Sequence, residues 1–504
     1  MLTTLRVQNF KAFEDTGMVE LQPLTLLSGI NSAGKSTLFQ ALLLLKQTLE
    51  SSRSAQVLDL SGPFVSSTPD RLLHDDIEIE GQTFEPDKPK PKKSLVYDFY
   101  FSYGDANILE KLRAVFSELG SASLTKLVCN LSLRLNWGTF GYLEQPEIRV
   151  SDVQITIKFD SWALGLNIYY DISERSYKLR MIKENTSPIF ETLALEQLNI
   201  DGFNHFLPAL FSVTQPQRPD PLRDLSPKFA QFMRQLFQHI AADLAESIYY
   251  LSSFRDSPRP TYANPFPADL LEANGSNFAQ VLWRYRERKV SFEHPQLPYP
   301  NRDRPYIMEL YPLVAWILRD LLGLEQSVTI KAVAEGREDI LEVVVETLGA
   351  KPVSVTLADV GLGYNQILPL VIQGLLTPPG GLVIFEQPEI HLHPDVQAKL
   401  ILFFIGLAKS GRRVLVETHS SYMIDHLCLA IAQDQGAEDW LAHNASVLFV
   451  HPPDQEYPGA RIEPVQINPY GDILNYPPHF MPNTAELYEA ILRAGYVKRQ
   501  AQKL

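Results

Sequence analysis

The chain has 504 residues, 45% of them hydrophobic, a net charge of −14 and only two cysteines, Cys129 and Cys428; its length predicts two or three lobes. The two cysteines, far apart and without metal-type partners, exclude a disulfide scaffold and suit a reducing cytoplasm. The acidic balance excludes nonspecific coating of nucleic acid, which draws its affinity from Lys and Arg on phosphates, and the lack of long apolar runs argues against a membrane span.

The N-terminus "MLTTLRVQNF" lacks the basic-then-apolar order of a secretion signal, so a cytoplasmic location is expected. Leu24 to Leu27 read as a buried strand and the Leu-rich stretch from Thr37 as a helix. Between them Gly29, Ile30, Asn31, Ser32, Ala33, Gly34, Lys35 and Ser36 match G-x-x-x-x-G-K-[ST]. In such a loop backbone N–H groups face a β-phosphate, and Gly29 and Gly34 let the chain approach without a Cβ clash. The helix N-terminus adds partial positive charge. Lys35 would reach the β- and γ-phosphates and Ser36 would ligate Mg²⁺. The strand-loop-helix context sets this stretch apart from a chance glycine-rich turn.

Further along, "KPKPKK" (88–93) is the obvious basic run, and its prolines make it read as a solvated loop. Any DNA or RNA contact would need a local basic patch of this kind. The runs 94–103, 127–137, 147–160 and 162–172 alternate as half-exposed antiparallel strands. From 227 to 323 the pattern turns helical, with amphipathic stretches at 227–247 and 304–323. The Pro-rich 214–227 and 294–305 read as surface connectors. No sustained heptads appear, so a long coiled-coil arm is not expected.

The stretch "LADVGLGYNQILPLVIQGLL" (357–376) places Gly361 and Gly363 before an amphipathic run, a second helix N-terminus able to meet a phosphate. "LVIF" (382–385) ends in Glu386, an apolar strand presenting an acid at its C-terminal edge, where ligands bind in open α/β sheets. A crossover helix begun by Pro394 and Asp395 and ended by Gly411 leads to a second strand, "RRVLVETHS" (412–420). A lone histidine at a strand end is usually structural. Beside a loop lysine and a strand-end acid, His419 reads as a γ-phosphate contact. The tail holds a strand at 446–450, a segment at 461–474 and an amphipathic helix near 484–495.

Taken in order, Gly29–Thr37, "DVGLGYNQILPL" (359–370), "IFEQPEIHLHP" (384–394) and "VETHSSYMID" (416–425) resemble the ABC-type ATPase heads of the SMC/RecF/OLD group. The nearest resemblance is to bacterial AAA-labelled ATPases that end in a short uncharacterised C-terminal domain. It extends to "VQNFKAFED" (7–15), "LDLSGPFVSS" (58–67), "IYYLSSFRDSPRPTY" (248–262) and "YGDILNYPPHF" (470–480), and is thin from 100 to 245. The resemblance implies an α/β P-loop NTPase of ABC type, with a mixed central sheet, an antiparallel β lobe and a helical insertion lobe. It implies ATP and Mg²⁺ as cofactors and a soluble protein without a membrane partner. Gly29, Asn31, Ser32, Ala33, Gly34, Lys35, Ser36 and Thr37 would hold nucleotide, with Ser36 and Glu386 on the metal side. Gly361 and Gly363 would form a signature meeting the γ-phosphate of a second copy, so a head-to-tail homodimer is implied. His419 would be the switch histidine, and Phe10 or Phe13 would lie near the adenine. The expected organisation is an ATPase core from 1–50 and 351–450, a β-rich part at 51–190, a mainly helical insertion at 191–350 and a small C-terminal domain at 451–504.

One position departs from the hydrolytic members. The residue after Glu386 is Gln387, where they carry a glutamate that polarises the attacking water. An amide orients a water but cannot take its proton near neutral pH. Glu389, two residues on, is the alternative base, and Pro388 together with strand alternation leaves its direction open. The expectation is a slow ATPase switch that signals to a separate effector, in a setting of defence against phage or plasmids. The alternatives are a RecF-like DNA-repair or tethering ATPase and, on chemistry, a binding-only pseudo-ATPase. A nuclease domain of the OLD kind is not expected, because the tail after His419 lacks its length and its D-x-D pair.

Overall fold

The computed structural model describes residues 1–53, 56–74, 93–103, 126–138, 147–159, 162–171, 174, 176–182, 186, 198–213, 225–264, 269–295, 306–324, 326–347, 353–434 and 439–481. The stretches 88–92, 214–224 and 296–305, with their expected loops, and the expected helix near 484–495 lie outside these residues.

A six-stranded sheet runs in the order Ile248–Leu251, Leu382–Glu386, Arg413–Glu417, Leu24–Gly29, Ala445–His451, Arg461–Val465. The first five are parallel and the last pairs antiparallel. Side chains alternate faces with period two. Leu382, Ile384, Leu415, Leu448 and Val450 therefore enter one core, while Val383, Phe385, Val414, Val416, Val447 and Phe449 enter another. Both faces are covered, which is why these strands read as unbroken apolar runs. The second core is closed by the helices Leu362–Leu376, Pro394–Lys409 and Ser421–Gln433.

The first core belongs to an antiparallel sheet ordered Phe13–Asp15, Leu2–Phe10, Lys93–Tyr103, Leu127–Gly138, Glu147–Phe159, Trp162–Asp171, Ser176–Met181. Along Lys93–Tyr103, Leu95, Tyr97, Phe99, Phe101 and Tyr103 are buried at every second position. Tyr97 stacks on Phe99 at 5.6 Å and Phe101 on Tyr103 at 6.1 Å. This aromatic face shares its core with the Lys35–Glu50 helix, where Leu38, Phe39, Leu42 and Leu45 are fully buried. Each such side chain contributes about 1.5–3 kcal/mol by leaving water. Gln47 on the same helix fixes the 59–65 loop: its amide donates to Asp59 O and Val65 O and accepts from Phe64 N and Val65 N.

The architecture is that of an α/β P-loop NTPase, with a mixed central sheet and an antiparallel sheet packed on the phosphate-loop helix. Two expectations need correction. Residues 304–323 are not one helix: Tyr306–Glu309 is a strand paired with Lys289–Phe292, and the helix begins at Leu310. The described residues of 191–350 mix strands and helices rather than being mainly helical, and the strand Ile248–Leu251 is an edge of the central sheet. In both places tertiary pairing overrides a locally helical pattern. Beyond 451, the strand Arg461–Val465 extends the central sheet. Both cysteines are free. No helix among the described residues is long and apolar enough to cross a membrane.

Candidate functional site

The site is built at the C-terminal edge of the parallel strands. The Leu24–Gly29 strand breaks at Gly29, whose φ is +151° and where a Cβ would stand 2.6 Å from the Val450 carbonyl oxygen. Gly34, with φ +104°, caps the following helix, and a Cβ there would stand 3.0 Å from the Cβ of Ala12. Both positions need glycine for conformation and for space. Ile30, Asn31 and Ser32 are exposed on the lip of the loop, Ala33 is buried beneath it, and Thr37 sits in the first helical turn. No acidic residue occupies that turn, so its free N–H groups keep their positive potential.

Lys35 folds back into the loop, donating to Gly29 O at 3.1 Å and Ile30 O at 2.7 Å. Burial lowers its pKa, while Glu417 and Glu389 pull it back up. Ser36 Oγ donates to Glu417 Oε2 at 2.8 Å. Glu417 ends the strand beside Glu386, and the two are register partners in the parallel ladder. Sequence reasoning missed Glu417. The available signal was the polar residue that ends the apolar run of "RRVLVETHS", one step before the noted Thr418-His419 pair.

The carboxylates crowd one another. Burial and the Glu417 charge push Glu386 up to about 7, although it accepts hydrogen bonds from the Tyr250 hydroxyl and the Ser253 N–H. Glu417 is also raised by burial, against the lowering effect of Ser36, Lys35 and the Gln387 side chain. Gln387 has φ +43°, and its N–H donates to Glu417 O at 2.8 Å. Its amide therefore faces Glu417, and its carbonyl accepts from Arg255.

Glu389 turns into the site and is buried. Its Oε1 accepts from the His419 N–H at 2.7 Å, and its Oε2 is buried with no hydrogen-bond partner. Burial raises its pKa; the His419 N–H, the Thr418 hydroxyl and Arg255 offset only part of this. His419 itself stands at the rim, and partial burial together with Lys35 holds its pKa below the usual imidazole value.

Gly361 is an exposed N-cap whose added Cβ would meet nothing within 4 Å, and Leu362 beside it is exposed. Gly363 backs onto His391 O and Leu392, at the far end of the loop that begins with Gln387. No hydrogen bond among the described residues joins this helix start to the phosphate loop. Phe10 and Phe13, expected near an adenine, are fully buried in the first core and leave no ring face for a base. Arg255, also missed in the sequence, enters from the loop after Ile248–Leu251 and donates to the carbonyl of Gln387.

Hard oxygen donors suit Mg²⁺, which is commonly held by one or two carboxylates completed by phosphate and water. Ser36, Glu417 and Glu386 fit that pattern, since a cation would offset the repulsion that raises Glu386. No cluster of three or more His, Cys, Asp or Glu side chains able to hold a metal alone occurs among the described residues.

No curated protein matches the chain. Among solved structures, the chain is similar to an SMC head bound to the C-winged helix domain of ScpA, at 10% identity over 92% of this chain and 98% of that one, TM-score 0.40. It is similar also to the Smc head domain bound to the C-terminal domain of ScpA derived from Pyrococcus furiosus (10% identity, 92% and 96% covered, TM-score 0.36). A third is the SMC head domain from Thermotoga maritima (8% identity, 92% and 99% covered, TM-score 0.36). The model of the AAA ATPase domain matches residues 1–209 and 317–424, which carry the phosphate loop, Gly361, Glu386, Glu389, Glu417 and His419. The chain belongs to the AAA ATPase domain family.

Proposed function

We propose that the protein is a slowly hydrolysing, ATP-binding switch whose base for water is Glu389. The supporting observation is the contrast between two neighbours: Gln387 is an amide bound to Glu417, whereas Glu389 is a buried acid with one oxygen anchored and the other free. A carboxylate held this way, with its proton affinity raised by burial, is suited to accept a proton from water. The loop N–H groups and Lys35 would bind the β- and γ-phosphates. Ser36, Glu417 and Glu386 would hold Mg²⁺, which when bound neutralises phosphate charge. Water attacks the γ-phosphorus, its proton passes to Glu389, and the bond to the β–γ bridging oxygen breaks to leave ADP and phosphate. Gln387 can orient the water but cannot take its proton, which leaves the transfer to Glu389 and makes turnover slow.

The exposed helix start at Gly361, with no hydrogen bond among the described residues to the chain's own phosphate loop, supports a γ-phosphate contact made across a head-to-tail homodimer. His419 would sense the γ-phosphate from the rim. The dimer's lifetime would then be the signal read by a partner effector, in the anti-phage or anti-plasmid setting that the resemblance implies.

ATP turnover of the wild type beside Gln387→Glu and Lys35→Ala, with oligomer size followed in the same samples, tests this. The wild type should bind ATP, dimerise and turn over slowly. Gln387→Glu should raise turnover roughly tenfold or more, by the usual weight of a positioned base, and shorten the dimer's life, while Lys35→Ala should abolish both. Brisk wild-type turnover that Gln387→Glu leaves unchanged would reject the switch.

A further inference from the structure

Arg255 lies four residues past the Ile248–Leu251 strand, within a stretch that the family model, matching 1–209 and 317–424, leaves uncovered. Its Nη1 makes three long hydrogen bonds, to Ser253 O at 3.4 Å, Gln366 Oε1 at 3.4 Å and Gln387 O at 3.3 Å. Its Nε and Nη2 are buried and have no hydrogen-bond partner. Bonds of about 2.9 Å are ordinary for such donors, and a buried charged donor left unpaired is costly. Glu389 Oε2 is orphaned in the same way. Arg255 lies within electrostatic reach of Glu389 and Glu386, yet no ion pair among the described residues joins it to either.

A guanidinium with two unused donors, bonded to the Gln387 carbonyl just past the Leu382–Glu386 strand and within electrostatic reach of Glu386 and Glu389, is matched to an anionic oxygen pair. We propose that Arg255 binds the terminal phosphate of a nucleoside triphosphate from within the same chain, and that it separates triphosphate from diphosphate. This rests on the nucleotide reading above. Lys35 and the loop amides would hold the β-phosphate, which diphosphate and triphosphate share, and Lys35 would also reach the γ-phosphate. Arg255 lies by Gln387 and within reach of Glu386 and Glu389, the residues that the nucleotide reading puts at the terminal phosphate and its attacking water. Its third bond runs to Gln366, in the second turn of the helix that starts at Leu362. Drawing Nη1 toward a phosphate would lengthen that bond, so the residue that detects the terminal phosphate also touches the helix that would face a second copy.

Calorimetric titration of the full chain with ADP and with the non-hydrolysable β,γ-imido analogue of ATP, both with Mg²⁺, tests the assignment. The wild type should prefer the triphosphate. Arg255→Gln should lower triphosphate affinity about tenfold or more, as loss of a charge-assisted contact does, and leave ADP affinity within about twofold, so the preference disappears. Arg255→Lys, which keeps the charge without the fork, should fall between them, and it decides the matter if Arg255→Gln does not fold. Equal losses for both nucleotides would make Arg255 a packing residue, and no loss would put it out of reach of phosphate; either overturns the proposal. Wild-type binding of neither nucleotide, or Lys35→Ala binding both as the wild type does, overturns the nucleotide reading itself and this inference with it.

Discussion

Ser36 donates its hydrogen bond to Glu417 rather than to Glu386, and register explains the choice. The strand ending in Glu417 lies directly beside the phosphate-loop strand, with Glu417 opposite Leu27, while the strand ending in Glu386 lies one place further out. Glu386 is instead held by Tyr250 and Ser253 from the sheet edge. Glu417 should therefore be the nearer metal carboxylate. In Glu417→Gln, the gain in triphosphate affinity on adding Mg²⁺ should shrink by about tenfold, as loss of one charged ligand does, while binding measured in EDTA stays unchanged. A larger loss in Glu386→Gln than in Glu417→Gln would return the primary role to Glu386. The phosphate loop, Glu386 and His419 could be picked out in the sequence because each sits on a motif with fixed spacing, whereas Glu389 could be named there but not aimed. Glu417 and Arg255 could not be picked out, because their importance depends on which strands are neighbours, and strand order is not written in the spacing of residues.

At the scale of elements, the phosphate loop is supported from below by the first hairpin. Ala12 lies beneath Gly34, and the Ala460 N–H donates to the Ala12 carbonyl. That hairpin is pinned by Arg6, whose Nε donates to Asp15 Oδ1 at 2.9 Å and whose Nη2 reaches Oδ2. Burial would raise the Asp15 pKa, but the hydrogen bonds from Arg6, the Gly17 N–H and Gln8 outweigh it and hold the acid below its usual value. A depressed folded-state pKa contributes stability that is present above the unfolded value, 3.8, and is lost as pH falls through the folded one. Denaturant titrations between about pH 2 and 6 should show Asp15→Asn less stable than the wild type by about 1 kcal/mol at the upper end, with the two converging in acid. A difference that does not narrow in acid would assign the loss to packing. The four strands from 94 to 172 were legible because alternation over ten residues survives in any context. The strand at Tyr306–Glu309 was hidden by the amphipathic helix that follows it, since four residues are too few to establish a period of their own.

For the whole molecule, the open helix start at Gly361 gives the dimer hypothesis a stringent test. A head-to-tail pair takes its phosphate loop from one chain and its signature from the other. Lys35→Ala and Gly363→Asp should each be inactive alone. Mixed in equal amounts, they should recover turnover that neither shows alone, because each mixed pair rebuilds one of its two sites. Sites completed within a single chain would give no recovery.

The sequence by itself determined the class of chemistry. A glycine loop with its lysine and serine, a strand-end acid and a trailing histidine are local patterns, and local patterns are set by residue types at fixed separations. It also determined the departure at Gln387, which is a matter of identity alone. Only the tertiary structure decided which acid meets Ser36, where Glu389 points, that Phe10 and Phe13 are core rather than base-stacking residues, and that Arg255 reaches the site at all. Each of these depends on strands far apart in the chain lying side by side, and no spacing of residues states which strands are neighbours.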